Sequence, residues 1–204
     1  MATHQATDNS DRKISGVTLR ELATLTGGTV ADTHQDVTVD SAAIGSADVK
    51  PGGLFCAVPG SRVHGAIFAA DSGAAAVLTD AEGAQTLADA DLPLLVVDDV
   101  RRWMGPVAAA VYGHPSRDLR IIGITGTSGK TTTTYLIERA LMAKHSVGII
   151  GTTGTRINGE QVPTKLTTPE APTMQALLAQ MRDRGVTHVV MEVKIGRASC
   201  RERV

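Results

Sequence analysis

The sequence predicts an α/β protein in two parts, and two observations predict it. Through residues 14–116, apolar runs of strand length alternate with helical patterns, the mark of layered strands and helices. After residue 117 the alternation starts afresh. LRIIGIT (119–125) is an apolar strand that feeds directly into the glycine-rich stretch GTSGKTTTT (126–134). His114-Pro115-Ser116 stands between the two parts as the expected hinge.

In the first part, VTLRELATLTGG (17–28) spaces leucines at 19, 22 and 25, a short helical face stopped by paired glycines. VTVD (37–40) and GLFCAV (53–58) read as strands. HGAIFAADSGAAAVLTD (64–80) reads as a helix, a glycine break, and a strand ending at Asp80. LPLLVVDD (92–99) has a strand's length and bounds. VRRWMGPVAAAVYG (100–113) follows as a helix with a kink or early break expected at Gly105-Pro106. Asp98 and Asp99 are placed to cap that helix, and Cys56 falls in an apolar strand as a core residue rather than a nucleophile.

The second part continues as helix from Lys130 to about Ala143, then the apolar strand HSVGIIGT (145–152). Asn158-Gly159 in INGEQV marks a tight hairpin. APTMQALLAQMRDRG (171–185) is an amphipathic helix with Pro172 in its first turn and Gly185 as its stop. THVVMEV (187–193) closes the series as a core strand.

Composition narrows the classes of function. Hydrophobic residues make up 42% of the 204 and aromatics only 2%, so aliphatic packing must carry the core. A net charge of -1 gives no sign of a nucleic-acid or membrane-surface partner. The polar start, MATHQATDNSDRK (1–13), has no apolar signal core and is expected to be a disordered leader. No apolar run approaches a membrane-spanning length. The two cysteines, Cys56 and Cys200, form no disulfide framework. Together these predict a cytoplasmic protein; a monomer is the separate expectation for its assembly.

The glycine loop carries the chemistry. Glycines let backbone N–H groups converge on phosphate oxygens, and the helix behind them offers its positive end. Lys130 would reach the β- and γ-phosphates of a nucleotide, and Thr131 would place its hydroxyl on Mg²⁺. The strict pattern G-x-x-x-x-G-K-[ST] is not met: Ile124 stands at its first glycine, and the glycines fall at 123, 126 and 129. A plain glycine-rich turn is the alternative. Glu192, flanked by apolar strand residues, wants a cation. His64 and His114 read as turn residues, since no second ligand sits at metal spacing.

TGTSGKTT (125–132) after a hydrophobic strand resembles the ATP loop of the Mur ligases, which build the peptide stem of bacterial cell-wall precursors. Those enzymes usually carry Asn where this chain has Ser128. VDSAAIGSADVKPGGLFCAVPGSRVHG (39–65) resembles the first-domain segment of the branch that adds the third amino acid. VYGHPS (111–116) is similar to that family's domain junction, LTTPEAPT (166–173) to its substrate-contacting segment, and VVMEV (189–193) to the strand that continues M-E-V-S-S-H. The wording of the loop and of LTTPEAPT is similar to actinobacterial forms. The resemblance spans residues 14–193.

It implies a small N-terminal α/β domain (14–116) for the uridine nucleotide, followed by a truncated central P-loop ATPase domain (117–193). ATP would be bound by Gly126, Thr127, Ser128, Gly129, Lys130, Thr131 and Thr132, with Lys130 catalytic. Mg²⁺ would be held by Thr131 and Glu192. Val39 and Ser41 would meet the uridine end of UDP-MurNAc-L-Ala-D-Glu, with Ser61, Arg62 and Val63 lining the same site. Thr167 and Thr168 would hold the sugar-peptide part. Ser41 serves equally well as a turn cap, and Thr168 as the cap of the helix at 171. The family's arginine after Asp-Ser is Ala42 here, and its aspartate after Pro-Gly is Gly53.

The implied reaction is an ATP-dependent ligation that joins a diamino acid to the D-Glu side chain through an acyl phosphate. The expected amine is meso-diaminopimelate, with lysine the alternative, chosen by a third domain. Another ligase of the same superfamily, a P-loop GTPase or kinase-like switch, and a non-catalytic nucleotide-binding fragment remain as rivals. The tail KIGRASCRERV (194–204) leaves the family pattern after Val193 and turns basic through Lys194, Arg197, Arg201 and Arg203. Lys-Ile-Gly-Arg-Ala can be encoded by a string containing a common sequencing-adapter sequence, so the tail is expected to be non-native and the chain unable to ligate alone.

Overall fold

The computed structural model describes residues 16–162 and 169–193. The leader at 1–13, Thr167, Thr168 and the tail at 194–204 lie outside the described residues. The chain divides into two compact units, one running to His114 and including Ala171–Leu177, the other holding Pro115–Glu170 and the residues from Leu178 onward.

The first unit opens with β1 (Val17–Thr18), α1 (Leu19–Thr26) and β2 (Thr38–Val39). A reciprocal cap starts α1: Thr18 Oγ1 accepts from the Glu21 amide, and the Glu21 carboxylate accepts from the Thr18 amide at 2.8 Å. Leu19 and Leu22 are fully buried, as their spacing predicts, but Leu25 is exposed. The expected strand at 37–40 is split. β1 and β2 pair antiparallel, and after Asp40 the chain starts a new strand, β3 (Ser41–Ala43), in a different sheet.

That second sheet is parallel throughout, in the order β3-β4-β5-β6, with β4 at Gly53–Cys56, β5 at Ala76–Thr79 and β6 at Leu94–Val96. Every residue of β4 and β5 is buried, the burial expected of parallel strands covered on both faces. Phe55, Ala57, Ala66, Ala69, Val77 and Leu87 form one cluster on this sheet. Cys56 is fully buried, and burial pushes its thiol pKa up to about 12, so it packs as a small apolar group.

The helix expected from residue 64 is only a 3₁₀ turn, Gly65–Phe68. Ile67 and Phe68 there are about half exposed, so a longer helix would have no continuous apolar stripe to bury. A short helix that the pattern did not announce, α2 (Ala81–Thr86), follows β5. His64 and Asp80 tie these two pieces together. His64 Nδ1 accepts from the Ala66 amide at 3.0 Å, which fixes the ring proton on Nε2, and Nε2 donates to Asp80 Oδ1 at 3.1 Å. Burial works against the Asp80 carboxylate. Hydrogen bonds from the Gly83 amide and His64 outweigh it and hold the pKa below the usual value.

A Cβ at Gly83 would stand 2.0 Å from Thr79 Oγ1 and 2.5 Å from His64 Cε1. Thr79 is short and β-branched, and His64 is held at both ring nitrogens, so neither can yield cheaply. Gly83→Ala should therefore destabilise this unit by about 1–3 kcal/mol. The measurement is the urea midpoint, and an unchanged midpoint would show that the neighbours do give way.

α3 (Val100–Val111) runs unbroken through Gly105-Pro106, so of the kink or early break expected there the break does not occur. Pro106 removes one amide from the ladder, but burial of Val100, Val107, Ala108 and Val111 on the other face outweighs that loss. Asp99 caps its start by accepting from the Arg102 amide at 3.1 Å, while Asp98 accepts from the Trp103 indole at 2.7 Å.

The second unit contains β7 (Arg120–Ile124), α4 (Lys130–Met142), β8 (Val147–Gly151), β9 (Gly154–Ile157), β10 (Glu160–Val162), α5 (Ala171–Asp183), which spans the division at residue 177, and β11 (His188–Glu192). Its sheet has the order β10-β9-β8-β11-β7. β8, β11 and β7 run parallel, and β9 and β10 add an antiparallel hairpin. Asn158 (φ 51°) and Gly159 (φ 85°) make the hairpin turn, as their order predicts. Ile149, Ile150, Val189, Val190 and Met181 make up the buried centre.

α4 is unusual in what it buries. Among its described residues the buried ones are Thr134 and Glu138, whereas Leu136 is 67% exposed. Glu138 is 2% exposed and is paired with Arg156 Nη2 from β9; the arginine lies over the Tyr135 ring at 4.8 Å.

Candidate nucleotide site

Three parallel strands end side by side, and polar groups collect where they end. In an open α/β sheet this carboxyl edge is where ligands bind, because loops there are freed from the ladder and helix N-termini point inward. β7 delivers the glycine loop, β8 delivers Thr152 one residue past Gly151, and β11 delivers Glu192 as its last residue.

The loop from Thr125 to Gly129 is exposed, and Lys130 is half-buried. Gly129 sits at φ 77° as the residue before α4, a left-handed conformation that lets the chain turn from strand to helix within a few residues. The amides of Thr127 to Thr132 have no acceptor among the described residues. Orphaned donors at the head of a 13-residue helix form a nest for an anion. Lys130 Nζ donates back to the carbonyls of Gly126 at 2.6 Å and Thr127 at 3.5 Å, so its charge lies over the loop with no carboxylate paired to it among the described residues. Such a donor set suits a polyphosphate.

Glu192 is 3% exposed and accepts from Thr152 Oγ1 through both carboxylate oxygens, at 3.1 and 2.9 Å. Gly151 makes room for it, since a Cβ there would lie 2.9 Å from Glu192 Oε1. Thr131 Oγ1 lies 3.2 Å from Thr152 Oγ1. The two residues expected to share a cation are thus connected through the hydroxyl of a third residue, Thr152. No cluster of three or more His, Cys, Asp or Glu suited to a metal occurs among the described residues, so a cation here would depend on Thr131, Glu192 and the oxygens of its ligand. That hard, oxygen-only set fits Mg²⁺.

Sequence reasoning passed over Thr152. The signal was present: Thr152-Thr153 follow a fully buried apolar run, the place where a parallel strand gives out at a ligand edge.

In the first unit, Ser61, Arg62 and Val63 are exposed and line a cleft of about 490 Å³ with Ile44, Phe55 and Phe68. Val39 and Ser41 do not line that cleft. The Val39 side chain is buried in the core, so a ligand could meet it only through its backbone. Ser41 Oγ donates to Asp40 Oδ1 at 3.1 Å and borders a separate recess of about 30 Å³ beside Tyr112. Glu170, not Thr168, occupies the capping position of α5, without a side-chain cap bond.

Residues 38–112 match the Mur ligase family catalytic domain, and residues 124–203 match the Mur ligase middle domain. The UDP-N-acetylmuramoyl-L-alanyl-D-glutamate--2,6-diaminopimelate ligase of Corynebacterium glutamicum is 59% identical over 161 residues, covering 76% of this chain and 30% of that relative. The ligase of the same name from Streptomyces coelicolor is 52% identical over 184 residues, covering 89% and 36%. The chain spans about a third of the length of the curated relatives it matches. A solved structure of a ligase of that name superposes with a TM-score of 0.68 at 25% identity, over 88% of this chain and 36% of the other. MurF from Thermotoga maritima in complex with ADP superposes with a TM-score of 0.50 at 22% identity, over 76% and 32%, a likeness of fold alone. No helix among the described residues is long and apolar enough to cross a membrane.

Proposed function

The chain belongs to the Mur ligase family, and on that premise we propose that it carries the nucleotide end of an ATP-dependent ligase acting on UDP-MurNAc-L-Ala-D-Glu. The observation that carries this reading is the convergence of the glycine loop, Lys130, Thr131 and Glu192 on the carboxyl edge of β7, β11 and β8. The names of the relatives favour meso-diaminopimelate as the amine.

The chemistry follows from the difficulty of making an amide in water. A carboxylate is a poor acyl donor until one of its oxygens becomes a leaving group, so the terminal phosphoryl group passes to the D-Glu side-chain carboxylate. The amine then attacks the acyl phosphate carbonyl, and inorganic phosphate departs with the C–O electron pair. The loop amides from Thr127 to Thr132 hold the phosphates, and Lys130 offsets charge that builds on the transferred group. Thr131 and Glu192 would hold Mg²⁺, which supplies further charge neutralisation when bound. Ser61, Arg62 and Val63 line the cleft assigned to the uridine end, in a first domain taken as residues 14–116.

Separate ligands test separate parts. Thermal unfolding should shift upward with Mg-ATP and, independently, with UDP-MurNAc-L-Ala-D-Glu, each shift growing with ligand concentration as mass action requires. Stabilisation by GTP in place of ATP would point to a different P-loop class. No response to either ligand would sink the reading.

A further inference from the structure

We propose that Thr152 is a positioning residue, setting the proton of the Thr131 hydroxyl and the orientation of the Glu192 carboxylate at the same time. This rests on the reading of Thr131 and Glu192 as cation ligands, and it adds a residue that neither loop motif nor strand motif contains.

Proton counting fixes the direction of the chain of bonds. An ionised carboxylate only accepts, so at both Glu192 oxygens the donor must be Thr152. Thr152 has one hydroxyl proton, and it is spent there. At the Thr131–Thr152 contact of 3.2 Å the donor must then be Thr131. The Thr131 proton is thereby drawn toward Thr152, and the remaining lone pairs of its oxygen are left to meet a cation. A hydroxyl free to rotate would present its proton to the metal in part of its population. This one is committed.

The turn that carries Thr152 is itself anchored. Its neighbour Thr153 shares a hydrogen bond of 2.6 Å with the Tyr135 hydroxyl, one helical turn along α4 from Thr131. Residues at i and i+4 lie on the same helix face, so Thr131 and Tyr135 grip the two consecutive threonines from one side. Glu192 fills the space that Gly151 leaves open, which ties β11 to the same turn. The loop helix, the turn after β8 and the end of β11 thus form one hydrogen-bonded unit. Thr152 is its central member, with a bond to each side.

Partners that orient metal ligands are commonly worth about 10- to 100-fold in metal affinity. The test uses the 204-residue chain with ATP, titrated with Mg²⁺ or left in EDTA, comparing wild type, Thr152→Val and Thr152→Ser. Val keeps the shape and removes the hydroxyl; Ser keeps the hydroxyl. In EDTA all three should bind ATP equally, because the loop amides and Lys130 are untouched. With Mg²⁺, wild type and Thr152→Ser should gain affinity, and Thr152→Val should lose about 10- to 100-fold of that gain. Mn²⁺ binding followed by electron paramagnetic resonance should repeat the order without reference to turnover.

A full Mg²⁺ gain in Thr152→Val would overturn the proposal. So would an equal loss with and without Mg²⁺, which would mark Thr152 as mere support for the turn. If Thr152→Val melts early, Thr152→Ser decides: loss of the Mg²⁺ gain in that folded variant also overturns it. Failure of wild type to bind ATP at all would instead bring down the underlying assignment of the loop, and this inference with it.

Discussion

Lys130→Ala in a full-length ligase carrying this sequence should lower ATP turnover by about 10²- to 10³-fold, the usual cost of losing a charge-stabilising donor from a phosphoryl-transfer site. The protein should stay folded. Lys130 opens α4, and alanine is at least as good a helix former. Among the described residues its ammonium bonds only the carbonyls of Gly126 and Thr127, both exposed, so its removal strands no buried partner there. A change in stability within about 0.5 kcal/mol, the range of ordinary surface substitutions, should accompany the loss. In the 204-residue chain the same variant should bind Mg-ATP weakly while melting normally. Near-normal turnover would show that the loop does not hold a phosphate.

The largest stability effect is expected at Arg156. Glu138 is buried on α4, and its counter-ion arrives from β9 across the sheet unit. Arg156→Met would leave that buried carboxylate without its counter-ion. Breaking such a pair by removing one partner costs about 3–5 kcal/mol. The lower end applies here, because the arginine side chain is 31% exposed and water can partly replace it. The second Glu138 oxygen and Arg156 Nε already have no hydrogen-bond partner among the described residues, so the pair is a single-pronged contact with little reserve. Pairing Arg156→Met with Glu138→Leu should recover most of the loss, since a well-packed apolar pair avoids desolvating two charges. Urea denaturation of the three variants checks this. A double variant as unstable as Arg156→Met alone would mean that the arginine acts through Tyr135 and packing rather than through the carboxylate.

Local signals made most of the architecture legible. The strand, glycine loop and helix around Lys130 were readable because they follow one another in sequence, as were Asn158-Gly159 at its turn and the capping role of Asp99. The break expected at Gly105-Pro106 was overruled by the buried face of α3, and packing is invisible to a local rule. The division between β2 and β3 at Asp40 was missed for a similar reason: adjacent residues enter different sheets, and only their distant partners, Val17 and Gly53, distinguish them. At the site, Glu192 announced itself as a charge in an apolar strand. Thr152 did not, because its importance comes from Thr131 and Glu192, which lie far from it in sequence. The Glu138–Arg156 pair was hidden too, since a helix rich in polar residues gives no sign that its glutamate faces inward.

The strand that carries the glycine loop is hydrogen-bonded, among the described residues, to β11 alone, and Arg120 meets His188, which lies about 70 residues further on. During synthesis the loop therefore leaves the ribosome long before the strand that fixes it. At typical translation speeds of 5–20 residues per second the wait is about 4–14 s. Throughout it β7 is an apolar segment with no ladder partner, and Glu192 has not been made. The order of the strands acts as a timer: the site proposed at their carboxyl edge cannot assemble until β11 has been translated and has paired with β7.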